Sequence, residues 1–210
     1  MLREVFLSLD LVSLTEALQI AEKAAKVGFK QLEIGTPLIK SEGMRAVKEF
    51  RRRFPEHTIF ADTKTMDTGS LEANLVFKSG GDIMSVMAAA PNETILSAVE
   101  EAERWGKEVL VDTLGVKDVV RRIKEVAELG VHRVCLHRGV DEGIFSDFEL
   151  VDKLRELGVK VGVAGGINED SLPKVRGIAD FVMVGRAITK ASDPEEAARR
   201  ILRAAGLLTQ

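Results

Sequence analysis

The chain has 210 residues, and 30 Lys and Arg stand against 33 Asp and Glu, for a formal charge of -3. That balance excludes a strongly basic nucleic-acid binder, and 45% hydrophobic with 30% charged residues excludes a disordered chain. One cysteine, Cys135, excludes an intrachain disulfide framework, and the apolar runs are too short to span a bilayer. No basic segment followed by an apolar stretch opens the chain, so no signal peptide is expected and the cytoplasm is the expected location.

The predicted strands, in chain order, are Val5–Asp10, Gln31–Ile34, Thr58–Asp62, Asp82–Met87, Glu108–Asp112, Arg133–His137, Lys160–Ala164 and Phe181–Val184. Each is a continuous apolar run, the pattern of a strand buried on both faces. Amphipathic stretches lie between them. The first carries Leu14, Ala17, Leu18, Ala21, Ala24 and Ala25 at helical spacing. Ser13 to Glu16 fits a capping box, and Asp193-Pro194 places a cap before a proline at the first helical position. Gly28, Gly106, Gly130 and Gly158 mark helix ends just before the next strand. No linker or charge block interrupts the series, so residues 1–210 read as one domain. Strict βα alternation forces parallel strands and right-handed crossovers. Eight units in this length predict a (β/α)8 TIM barrel. The rival is an open doubly wound sheet, but no Gly-x-Gly-x-x-Gly fingerprint follows the first strand.

In such barrels the chemistry gathers at the C-terminal ends of the strands. Here those ends carry Asp10, Glu33, Asp62 followed by Lys64 and Asp67, Asp112, His137, Gly165-Gly166 and Gly185-Arg186. Only the fourth strand ends blandly, at Ala88-Ala89-Ala90. Glu33 sits inside an apolar strand, where a carboxylate needs a cation or a strong hydrogen-bond partner. Glu33 and Asp62 come from neighbouring strands, and a pair of hard carboxylates suits Mg2+. Asp62 and Lys64 alternate, which puts them on one side of an extended chain. A lysine among acids stays protonated and can stabilise a developing enediolate. His137 is a proton carrier, while His57 and His132 start their strands and read as surface or capping residues. Gly166 precedes Ile167-Asn168, expected to open a helix, and Gly185-Arg186 precedes Ala187-Ile188. These two glycine turns, with Arg186 as a charged fork, suit the phosphate of a small phosphorylated ligand.

Asp62-x-Lys64-x-x-Asp67, with Glu33-Ile-Gly-Thr-Pro-Leu-Ile39, His137-Arg-Gly-Val-Asp141, Ala164-Gly-Gly-Ile167 and Val184-Gly-Arg-Ala-Ile188, resembles the orotidine 5'-monophosphate decarboxylase superfamily over nearly the whole chain. Within it the similarity is to members that condense formaldehyde with D-ribulose 5-phosphate through a Mg2+-stabilised 1,2-enediolate. Close relatives instead decarboxylate 3-keto-L-gulonate 6-phosphate. Val140 and Asp112 stand where the decarboxylases usually carry Arg and Glu, which favours the aldolase; Asn168–Gly177 looks more decarboxylase-like. A non-catalytic sugar-phosphate-binding barrel is a further alternative. The resemblance implies Glu33 and Asp62 on Mg2+, Lys64 on the enediolate and His137 handling protons. It implies Asp10 on substrate hydroxyls and Asp112 on metal-bound water or substrate. The phosphate of the ketose falls to Gly166, Gly185 and Arg186. Asp67 would complete the site of the neighbouring subunit in a homodimer. No nucleic-acid or membrane partner is expected.

Overall fold

The computed structural model describes residues 2–139 and 148–208. Eight strands, β1 to β8, close into a barrel in which each pairs in parallel with its neighbours and β1 pairs with β8. They are β1 Glu4–Leu9, β2 Gln31–Ile34, β3 Thr58–Thr65, β4 Ile83–Met87, β5 Glu108–Asp112, β6 Arg133–His137, β7 Lys160–Ala164 and β8 Phe181–Val184. The helices are α1 Leu14–Lys26, α2 Thr36–Glu42, α3 Met44–Arg53, α4 Gly69–Lys78, α5 Asn92–Trp105, α6 Val119–Ala127, α7 Phe148–Arg155, α8 Leu172–Val175, α9 Arg186–Thr189 and α10 Pro194–Ala205. The (β/α)8 expectation therefore holds.

Two loops carry a pair of helices rather than the expected one. After β2, Gly43 takes φ 62°, a conformation that ends α2 and turns the chain directly into α3. After β8, the four-residue α9 precedes α10. Both helix starts are capped by the expected residues: Ser13 accepts from Glu16 N at 3.3 Å, the serine half of the expected capping box, and Asp193 accepts from Glu195 N and Glu196 N at 3.0 and 3.2 Å.

Two cores build the fold. One lies between strands and helices and includes Leu7, Leu32, Ile59, Val111, Val134 and Val182. The other fills the lumen with Phe6, Phe60, Leu110, Cys135, Phe181 and Met183, among others. Alternate strand residues thus face opposite sides of the barrel wall. Phe6 meets Phe60 and Phe181 edge-on, with ring centres 6.0 and 5.9 Å apart. A Cβ at residue 162 would stand 1.9 Å from the Phe181 ring, so only glycine admits that ring. Beneath it, Arg133 is buried, its guanidinium 4.9 Å from the Phe181 ring centre. Arg133 also pairs with Glu4 at 2.6 Å and Glu108 at 2.8 Å. The lumen is therefore polar at the bottom, aromatic in the middle and polar again at the top.

His57 departs from its expected surface or capping role. Both ring nitrogens are buried without a hydrogen-bond partner, and the ring packs edge-on against Phe54 at 5.3 Å. The short α3–β3 turn presses it onto Phe54, and burial lowers its pKa. His132 is exposed, as expected.

Candidate active site

The top layer gathers groups from six strands. On β2, Glu33 is buried, and its carboxylate accepts from the Ser8 hydroxyl of β1, which stands beside it in register. Burial drives the Glu33 carboxyl well above the usual carboxylate range, and the charges of Asp62 and Asp10 push the same way. Asp10 stands just beyond β1, wet on one side but crowded by protein. That crowding, then Asp62, raises its pKa, while Lys64, His137 and Arg186 oppose the rise. It packs against Gly35 so closely that a Cβ there would lie 2.1 Å from Oδ1.

The expected alternation of Asp62 and Lys64 does not hold. The strand continues to Thr65, but its register against β4 shifts between Ala61 and Thr65, and Lys64 adopts φ 48°. A left-handed lysine costs about 1–2 kcal/mol, so this bulge is held by its surroundings. It does bring the two groups together: Lys64 Nζ lies 3.0 Å from Asp62 Oδ2. On its other side Nζ donates to Asp112 Oδ2 at 2.8 Å. Burial alone would lower the Lys64 pKa, but the charges of Asp62 and Asp112 outweigh it and hold the ammonium raised.

Asp112 also meets His137 Nδ1 at 2.7 Å and accepts from Leu114 N at 2.8 Å. Burial would raise its pKa, but the bond and charge of His137 and the charge of Lys64 hold it down at about 2. An ionised carboxylate only accepts, so Nδ1 carries the hydrogen and Nε2 is the nitrogen left for proton exchange. Asp62 is fixed separately: Thr36 Oγ1 donates to Oδ2 at 2.8 Å and Ser85 Oγ to Oδ1 at 2.7 Å.

At the rim, Gly185 lies beside Asp10, and a Cβ there would be 3.8 Å from Asp10 Oδ2. Arg186 is exposed and opens α9 as expected. Gly166 takes φ 68°, but the following helix starts at Leu172 rather than at Asn168. Asn168 instead makes a turn, accepting from Asp170 N and Ser171 N at 3.0 Å each. Asp67 is exposed, its carboxylate accepting from Thr68 N, and it does not join the cluster. Val140 and Asp141 lie outside the described residues.

Sequence reading missed Ser8, Thr36 and Ser85. Strand parity would have found two of them, since Ser8 follows Phe6 on the lumen face and Ser85 follows Ile83. Among the described residues no group of three or more His, Cys, Asp or Glu forms a ready metal cage. A polar depression of about 350 Å3 lies at the opposite end of the barrel, lined by Glu4, Asp82, Lys107, Glu108 and Arg133 among others. Its charges pair with one another, and the strand-end acids and His137 lie elsewhere.

Fold and site define a (β/α)8-barrel enzyme with a lysine held between two aspartates. The pattern of the orotidine 5'-phosphate decarboxylase / HUMPS family matches residues 3–201, and the chain belongs to that family. A 3-hexulose-6-phosphate synthase of Bacillus subtilis is 41% identical over 203 residues, covering 94% of this chain and 96% of that one. A crystal structure of 3-hexulose-6-phosphate synthase superposes with a TM-score of 0.90 at 36% identity, covering 96% and 99% of the two chains. A 3-keto-L-gulonate-6-phosphate decarboxylase from Vibrio cholerae superposes at 0.87 with 27% identity, covering 98% of each.

Proposed function

We propose that this carbon–carbon lyase is an aldolase that condenses formaldehyde with D-ribulose 5-phosphate to 3-hexulose 6-phosphate, reversibly and through a 1,2-enediolate. The observation that carries the reading is the Lys64 ammonium between Asp62 and Asp112, with His137 on the same Asp112. A raised lysine is a fixed cation rather than a Schiff-base nucleophile. It faces negative charge that develops on the substrate. His137 Nε2 takes the C1 proton of the ketose as the enediolate forms. C1 then adds to the carbonyl carbon of formaldehyde, and the new alkoxide recovers that proton. Asp112 keeps Nδ1 protonated throughout, and Asp10 orients substrate hydroxyls. The glycine backbone at 166 and 185, with Arg186, receives the phosphate.

The donor set fits Mg2+. Burial first, and then the charges of Asp62 and Asp10, raise Glu33, so a cation is the natural partner of this group. The hard oxygens match Mg2+, which takes one or two carboxylates and completes its shell with water and substrate. Glu33 and Asp62 would hold it, and it would supply Lewis-acid stabilisation of oxyanions. A homodimer with shared sites, in which Asp67 serves the neighbouring subunit, is supported by exposed apolar side chains at Met66, next to it in sequence, and at Leu71 and Leu75 on α4, which are 48, 61 and 48% exposed.

The test is formaldehyde consumption with ribulose 5-phosphate and Mg2+, run beside CO2 release from 3-keto-L-gulonate 6-phosphate. Formaldehyde loss that EDTA abolishes supports the aldolase. CO2 release without formaldehyde loss moves the assignment to the decarboxylase.

A further inference from the structure

The fourth strand ends blandly, yet one of its side chains sits at the centre of the site. Ser85 has no exposed surface. Between the paired residues Ala61–Met84 and Thr65–Val86, the three residues Asp62, Thr63 and Lys64 stand opposite Ser85 alone. A ladder with that mismatch leaves strand N–H groups without partners. Ser85 takes up the slack. Its hydroxyl accepts from Lys64 N at 2.8 Å and donates to Asp62 Oδ1 at 2.7 Å, while its carbonyl accepts from Thr63 Oγ1 at 2.7 Å. One hydroxyl proton serves both bonds without conflict.

We propose that Ser85 is the positioning residue for Lys64: its hydroxyl locks the left-handed bulge of β3 and so aims the ammonium between Asp62 and Asp112. This rests on the reading of Lys64 as the cation that faces the enediolate. An alanine at 85 would leave Lys64 N–H without its acceptor, and Lys64 would relax toward negative φ. The Cα–Cβ bond would then swing, and Nζ would leave Asp112. The phosphate-binding turns follow β7 and β8, away from β4, so substrate capture would persist while turnover falls.

The experiment compares Ser85→Ala and Ser85→Cys with the wild-type chain. Initial rates are measured against ribulose 5-phosphate concentration, and a crystal structure of each variant is solved. A misplacement of about 1 Å costs on the order of 10²-fold in rate, so Ser85→Ala is expected to lose at least about tenfold in kcat. Its KM is expected to stay within about threefold, the signature of an interaction made in the transition state only. Ser85→Cys, with a weaker donor and acceptor, falls between the two. The crystals are expected to show Lys64 at negative φ in the alanine variant. A kcat within about twofold of wild type overturns the proposal, as does a KM that rises in step with the loss of kcat. Lys64 still left-handed with Nζ on both aspartates overturns it too. If Ser85→Ala does not fold, Ser85→Cys decides by the same readouts. If the wild-type chain does not consume formaldehyde, the aldolase reading fails, but the Lys64 conformation in the crystals still decides the role of Ser85.

Discussion

Asp112→Asn separates the two electrostatic halves of the site. The carboxylate holds three donors, Lys64 Nζ, His137 Nδ1 and Leu114 N, at 2.8, 2.7 and 2.8 Å. Its pKa drops from 3.8 to about 2, and at about 1.4 kcal/mol per pH unit the fold favours the ionised form by about 2 kcal/mol. Asparagine keeps the shape and loses the charge, and its amide nitrogen must face one of the donors. Replacing a whole buried ion pair by apolar groups often costs nothing, but deleting one partner leaves the remaining charges uncompensated. The expected loss at pH 7 is therefore about 2–3 kcal/mol, or about 5–10 °C in Tm for a chain of this size. The sign with pH follows from the depressed value. The contribution is complete above the ordinary carboxylate range and disappears as pH falls from about 4 to about 2. Urea unfolding of both proteins at pH 7 and pH 3 reads it, with the gap wide at the first and narrower at the second. Equal midpoints at pH 7, or a gap that does not narrow in acid, would refute the reasoning.

Glu33→Gln is expected to act in the opposite direction. Glu33 is destabilised when ionised, so the variant should raise the Tm of the protein in EDTA and weaken its Mg2+ affinity in calorimetry; a lower Tm in EDTA counts against the clustered charges. Lys64→Ala should reduce kcat by at least about 10²-fold, the scale of a fixed electrostatic group, and an active variant removes that role from Lys64. His57→Phe should stabilise the chain by about 1 kcal/mol, because it removes two buried nitrogens without partners. Since the folded pKa of His57 lies below 6.5, wild type loses stability as pH falls past that value; the variant should not, and parallel pH curves would contradict it.

The barrel was legible because each strand is an unbroken apolar run. Seven of the eight expected strands both begin and end within a residue of those observed. The exception is β3, expected to stop at Asp62 but running to Thr65. Its polar tail, Thr63-Lys64-Thr65, reads as loop, because the bonds that keep it in the sheet come from elsewhere: Ser85, and Glu72 to Thr65. Parity arguments assume a regular strand, and a bulge cancels them. Asp62 and Lys64 were rightly placed together for a reason that does not operate. Charged strand ends such as Asp112 and His137 stood out against apolar neighbours. Ser8 and Ser85 did not, since a serine in a strand gives no sign of which carboxylate it holds. His57 was misread because burial at a turn depends on a tertiary neighbour, Phe54.

The edge-to-face Phe6, Phe60 and Phe181 rings and the buried Arg133 beneath them stopper the lumen from below. Traffic through the site is therefore one-way in space and two-way in time: whatever enters by the mouth leaves by it. Under the aldolase reading, a large sugar phosphate seated there would stand in the path of a small aldehyde, and the order in which reactants arrive would become a property of the architecture. Substrate inhibition patterns at high sugar phosphate would report on that queue, which no residue of the catalytic layer controls by itself.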